Sequence, residues 1–169
     1  MSRHHRYDIL FEPVQIGPVT AKNRFYQVPH CTGSGWKHPR ILAGLRESKA
    51  EGGWAVVNTE YCSIHPSSDD APYNCASLWD DGDIKAHALM TEKLHAHGAL
   101  AGVELCIGGA RMPNLHTREI MLGVVSMPNT DGNPFHCKAM DKEDIRMTRK
   151  WHRDAAIRAK KAGFDIVYV

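Results

Sequence analysis

Val28-Pro29-His30-Cys31, reached by the run NRFYQ, ends a short apolar stretch on a proline, an imidazole and a thiol. Glu60-Tyr61-Cys62 and Glu104-Leu105-Cys106 repeat the theme, each closing an apolar, β-branched run on a carboxylate or an aromatic ring beside a cysteine. A single cysteine is more often a small buried hydrophobe than a reagent. Three of them at the ends of such runs have a second reading, because α/β sheets and barrels keep their chemistry at the carboxyl ends of strands. A thiol there can act as a thiolate nucleophile, a carboxylate can accept a ring N–H, and a tyrosine ring can hold a cation. Gly108-Gly109 follows the third run, but a bare glycine pair is weak evidence for a phosphate site and reads as a loop. His30, His38, His65, His95 and His97 fall in loops or at helix ends without a ligand pair of zinc-like company, so no metal site is expected.

The elements that must position these residues follow a repeating grammar. Phe11, Val14 and Ile16 precede a Gly17-Pro18 turn, which marks a hairpin over about residues 8–24. Apolar runs at 25–28, 54–58, 99–105 and 164–169 read as strands. Between them lie three helical patterns. The first carries Ile41, Leu42, Leu45 and Ala50 and stops at Gly52-Gly53; the second is capped by Asp83, carries Ala86, Leu89, Met90 and Leu94 on one face, and closes at Gly98. The third is capped by Asp141 and repeats Ile145, Thr148, Trp151, Ala155, Ala159 and Ala162 before Gly163. Continuous apolar strands joined by helices imply an α/β fold with a parallel sheet covered on both faces. Four such units fit half of an eight-stranded barrel or a small doubly wound sheet; on the barrel reading the chain is a fragment with two parallel edges left open.

With 169 residues, 43% apolar and 24% charged, the chain can build one domain with a sizeable core. A formal charge of +2 without a basic stripe argues against a nucleic-acid partner. The apolar run after MSRHHRYDIL is too short for a signal-peptide core, and nothing reaches transmembrane length, so no membrane role and a cytoplasmic location are expected. Cys31, Cys62, Cys75, Cys106 and Cys137 lack CxxC spacing and read as reduced thiols.

The segments DILFEPVQIG, NRFYQVPHC, KAEGGWAVVNTEYCSI, HGALAGVEL and AGFDIVYV resemble the N-terminal part of the old yellow enzyme superfamily. Within it the resemblance is to the trimethylamine dehydrogenase branch, which includes dimethylamine and histamine dehydrogenases; it covers nearly the whole chain and is weakest from about 111 to 140. It implies that residues 1–169 are a partial FMN-binding TIM-barrel domain, strands one to four of a (β/α)8 barrel (about 25–169) preceded by the hairpin. A [4Fe-4S] cluster and two nucleotide-binding domains would lie beyond residue 169. Cys31 matches the cysteine that such enzymes bond to C6 of the flavin; Val28, Pro29 and His30 would line the flavin, and Cys62 is counted with them as a cofactor-side residue. Glu104 matches the strand-three residue that hydrogen-bonds the flavin pyrimidine edge.

Tyr61 matches an aromatic cage residue around a methylated ammonium, where the dimethylamine and histamine enzymes carry a glutamine. The resemblance therefore implies oxidative N-demethylation of a small methylated amine, trimethylamine to dimethylamine and formaldehyde, with an electron-transfer flavoprotein as acceptor and a homodimeric enzyme. The fragment alone should not turn over. Two other readings stand beside it: an old yellow enzyme type NAD(P)H:flavin oxidoreductase with non-covalent FMN, acting on activated alkenes, and a non-catalytic α/β module.

Overall fold

The computed structural model describes residues 4–72, 75–131 and 135–169. A 3-10 turn over His5–Phe11 leads into a hairpin of β1 (Val14–Ile16) and β2 (Val19–Ala21), paired antiparallel across Gly17, whose φ of +54° is one that glycine adopts without strain. The hairpin is thus shorter than the expected 8–24, and Phe11 belongs to the turn before it. Its ring meets Phe25 edge-on at 5.2 Å, and Phe25 meets Trp54 at 6.1 Å. Then follow β3 (Tyr26–Gln27), α1 (Pro39–Glu51), β4 (Val56–Ser63), a 3-10 turn at Pro66–Ser68, β5 (Ala76–Ser77), α2 (Gly82–Ala96) and β6 (Leu100–Cys106). The chain continues through β7 (Leu122–Gly123), β8 (Met127–Pro128), β9 (His136–Ala139), α3 (Lys142–Lys161) and β10 (Ile166–Tyr168).

The main sheet has the order β10-β6-β4-β3, every pair parallel, with β5 added beside the carboxyl end of β4. Each of the three long connections within it contains a helix, the repeat expected of a β/α barrel. The segment between β6 and α3, where no strand was expected, holds a small sheet of order β7-β9-β8. Among the described residues no helix is long and apolar enough to cross a membrane.

Two apolar clusters hold these layers. The larger lies between sheet and helices and includes Leu42, Val57, Cys62, Met90, Leu94, Val103, Ala155 and Ala159. The smaller joins Ala21, Ala55 and Val56 to Val14, Ile16, Tyr26, Leu100 and Ile166, so the hairpin closes the amino end of the strands. In α1 the buried stripe is Leu42, Ala43, Arg46 and Ala50; Ile41 and Leu45, which carried the helical spacing in the sequence, are 60% and 39% exposed. A guanidinium is thus part of the buried stripe. Asp141 caps α3 as expected, in a capping box with Asp144. The N-cap of α2 is Asp81, not Asp83; the Asp83 carboxylate reaches back to the N–H groups of Trp79 and Asp80 at 3.0 and 3.3 Å and accepts from the Ser77 hydroxyl.

The strand that matters most for the site is β4, which runs to Ser63 rather than ending at 58. Its register with β6 shifts between Asn58 and Tyr61. An inserted residue reverses the alternation of faces beyond it, so Val57 and Cys62 both enter the helix-side cluster although strict alternation would separate them. At the interior of the sheet Asn58 ties β3 to β4: its Nδ2 donates to the Gln27 carbonyl at 2.6 Å and its N–H donates to Gln27 Oε1 at 3.2 Å. Gly102 leaves room for it, since a Cβ there would stand 2.0 Å from Asn58 Oδ1. Gly102→Ala should displace Asn58 and lower the stability of the full-length protein by about 1–3 kcal/mol, measured as a lower urea midpoint at unchanged slope; an unchanged midpoint would show that the Asn58 tie is dispensable.

Candidate active site at the strand ends

The loop after β3 begins at Val28, followed by Pro29, which can donate no backbone bond to extend the ladder, and it is then fixed from both sides by buried charges. On the far side Glu60 of β4, fully buried, accepts hydrogen bonds at Oε1 from the Thr32 N–H (2.8 Å), the Ser34 N–H (3.1 Å) and the Thr32 hydroxyl, and at Oε2 from the Gly35 N–H (3.2 Å). Burial pushes this carboxyl up, but the bonds from Thr32, Ser34 and Gly35 outweigh it and hold it below the usual carboxylate range. On the near side the fully buried Arg46 donates from Nη2 to the His30 carbonyl at 2.6 Å and from Nη1 to His30 Nε2 at 2.8 Å. Burial, with Arg46 and Lys49, holds the His30 imidazole below its ordinary value, which suits a neutral ring accepting from a guanidinium. Cys31 lies between the two grips, its residue exposed.

Cys31 is the most acidified thiol of the site. A hydrogen bond with the Cys75 side chain lowers its pKa, burial opposes, the Tyr61 backbone N–H lowers it further, and the carboxylates of Glu60 and Glu104 push it back up. Cys75 shifts the other way, upward, through the same bond and burial. Tyr61 and Glu104 stand opposite one another in the β4–β6 register. The Tyr61 hydroxyl donates to Asp70 Oδ2 at 2.5 Å, and the same oxygen accepts the Cys75 N–H at 2.9 Å. Burial and the bond to Asp70 keep this phenol protonated. Glu104 carries no hydrogen bond to its carboxylate among the described residues, and burial raises its pKa. Cys106 is pushed up to about 11 by burial and the charge of Glu104.

Beside these groups opens a cavity of about 720 Å³ lined by Tyr61, Asp70, Cys106, Arg111, Met112 and Asp131 among others. Its outer wall is pinned by Asp69, whose Oδ2 accepts the His116 and Thr117 N–H groups at 2.8 and 2.7 Å while Oδ1 accepts that of Ala71 at 2.8 Å. Gly108 belongs to this wall as a loop residue: its N–H donates to the Ser68 hydroxyl at 2.6 Å, and a Cβ would lie 2.2 Å from Met112.

The structure therefore brings Cys31, Tyr61 and Glu104 into one electrostatic neighbourhood, with Val28, Pro29 and His30 on the approach; Val28 is 63% exposed. Cys62 is a correction. Its thiol is fully buried in the helix-side core, contacts Thr59 and His87 at 3.7 and 3.9 Å, and is strongly raised by burial, because the β4 bulge turns it away from the strand-end face. Arg46, Asp70 and Cys75 were not read as site residues, and Glu60 was named at a strand end without a role. The one sequence signal was an acid inside the apolar run that ends at Tyr61; the partners of Glu60 lie 25 to 28 residues upstream.

Residues 9–169 match the family described as the NADH:flavin oxidoreductase / NADH oxidase family. Dimethylamine dehydrogenase of Hyphomicrobium sp. (strain x) is 42% identical over 176 residues, an overlap of 100% of this chain and 24% of that protein. Among solved structures, 6-hydroxypseudooxynicotine amine oxidase from Pseudomonas geniculata N1 superposes with a TM-score of 0.96 at 48% identity, over 99% of this chain and 25% of that one. Histamine dehydrogenase from Rhizobium sp. 4-9 does so with a TM-score of 0.94 at 45% identity, over 98% and 26%. The chain thus spans about a quarter of the length of these relatives. Its α/β fold is that of the N-terminal part of TIM-barrel enzymes, as expected.

If Cys75 is the donor that acidifies Cys31, Cys75→Ala should raise the Cys31 pKa. In cofactor-free full-length protein the pH midpoint of iodoacetamide alkylation at Cys31 should then move up; a midpoint that stays or falls contradicts the bond.

Proposed function

The chain belongs to the NADH:flavin oxidoreductase / NADH oxidase family, and from that premise we propose that it supplies the first half of the catalytic barrel of an FMN-dependent amine dehydrogenase acting on a methylated amine. Trimethylamine is the substrate we assign, cleaved oxidatively to dimethylamine and formaldehyde, with electrons leaving to an electron-transfer flavoprotein. The amine-oxidising activities carried in the names of the three relatives support the class.

The observation that carries this reading is the grouping of an acidified thiol, a carboxylate that accepts no hydrogen bond among the described residues and a cavity-lining tyrosine at the carboxyl ends of adjacent parallel strands. The donor set fits a flavin ring. Glu104, whose carboxylate accepts no hydrogen bond among the described residues, could accept a ring N–H, Cys31 has a thiol poised for a covalent bond, and Pro29 presents no competing N–H. Bound FMN would supply the two-electron acceptor. Cys31 would anchor the ring, Glu104 would fix its polar edge, and Val28, Pro29 and His30 would flank it. Tyr61, its hydroxyl held by Asp70, would keep its ring beside the alkylated nitrogen, with the Asp70 carboxylate in the cavity wall, while Asp131 is paired there with Arg111 at 3.7 Å. An aromatic wall needs no N–H from its ligand, which favours the most methylated ammonium. The identity to a dimethylamine dehydrogenase supports dimethylamine as the second reading.

Steady-state assays of the full-length enzyme with trimethylamine, dimethylamine and histamine separate these. Trimethylamine should have the highest kcat/KM, and Tyr61→Gln should lower it by about tenfold while sparing dimethylamine. Preference for dimethylamine or histamine in the parent would refute the assignment, and NADPH-dependent alkene reduction without amine oxidation would refute the class.

A further inference from the structure

Glu60 is the buried acid that the proposed chemistry leaves without a task. Its carboxylate receives four donors from residues 32–35 of the loop that carries Cys31, and Gly35 is pressed so close that a Cβ would lie 3.0 Å from Glu60 Oε2 and 2.6 Å from the Ala76 Cβ. Arg46 grips the residue on the other side of Cys31 through the His30 carbonyl and ring. Among the described residues the guanidinium Nε, a buried atom, finds no hydrogen-bond partner, so the place of the group is set by these contacts to residue 30 rather than by complete satisfaction of its own donors. Two opposite charges out of water are a costly way to order six residues of surface loop. What they fix is the single residue between them.

We propose that Glu60, opposed by Arg46, is the positioning residue that sets Cys31 for covalent attachment of the flavin. This rests on the reading of Cys31 as the flavin anchor. Attachment exchanges the Cys31 S–H and one ring C–H for an S–C bond and releases two protons; the two electrons stay on the flavin as its reduced form and pass from there to dioxygen or to the electron-transfer flavoprotein of the proposed reaction. Such a bond forms only when the sulfur is held at the ring edge, and small displacements of a reacting atom cost large factors in rate. The carboxylate does not assist through its charge, since it raises the pKa of the Cys31 thiol and so depletes the thiolate. Geometry and electrostatics therefore predict opposite effects of neutralising it, which makes the role testable.

The experiment uses full-length parent, Glu60→Gln and Thr32→Val, each loaded with FMN, denatured with acid, and assayed for absorbance that stays with the chain and absorbance that is released. Cys31 alkylation by iodoacetamide is measured in parallel on cofactor-free samples. In Glu60→Gln the rate of attachment should fall by roughly tenfold or more, with released FMN making up the difference and with alkylation as fast as in the parent or faster. Thr32→Val, which removes only one of the four donors, should show a smaller loss of the same kind, and it carries the test alone if the Glu60 variant does not fold. Attachment at the parental rate in both variants overturns the positioning role, as does a parallel fall in alkylation. A parent whose flavin is wholly released overturns the anchor reading and this proposal with it, an outcome distinct from a parent and variants that are all equally loaded.

Discussion

The buried carboxylate of Glu60 is the constraint on which the site depends. It joins the middle of β4 to the loop leaving β3, two segments whose ladder is only two residues long at Tyr26–Gln27. A hydrogen bond to a charged group contributes about 1.5–3 kcal/mol, and a buried ion loses several kcal/mol of hydration. Four such bonds therefore bring the network to a modest net gain, and its main product is a fixed loop path. Arg46 completes the arrangement by neutralising part of the field and by holding His30.

From that fixed loop the electrostatics of the strand ends follow. Cys31 is acidified by neighbours that donate to it, chiefly Cys75, against carboxylates that oppose it; Glu104 accepts no hydrogen bond among the described residues and is raised by burial; Tyr61 is locked in its protonated form on Asp70. The three groups have different tasks because their surroundings differ, not because the residue types are unusual. The hairpin at the opposite end of the strands has no part in this and serves to cover the apolar floor around Val56 and Leu100.

Much of the scaffold was legible because its signals are local. The three helices follow from apolar spacing, and Asp141 with Asp144 forms a capping box within four residues. The strand-end locations of Cys31, Tyr61 and Glu104 follow from where apolar runs stop. The orientation of Cys62 was not legible, since it depends on a register shift that only the pairing of β4 with β6 defines. Arg46 was hidden because its burial is made tolerable by His30, sixteen residues away, and not by anything in its own helix. The sheet of β7, β8 and β9 was missed because its strands are two to four residues long and are held by distant backbone bonds such as Lys138 N–H to the Met121 carbonyl. Asp83 was misassigned as a cap because its carboxylate turns to the residues before the helix.

Cys31, held between Glu60 and Arg46, is proposed as the covalent anchor of the flavin. The most direct test is the intact mass and visible spectrum of the full-length protein after denaturation, compared with Cys31→Ala. The parent should retain the mass of one FMN and its colour, and the variant neither. Complete release of flavin from the parent, or a flavin that stays attached in the variant, would contradict it.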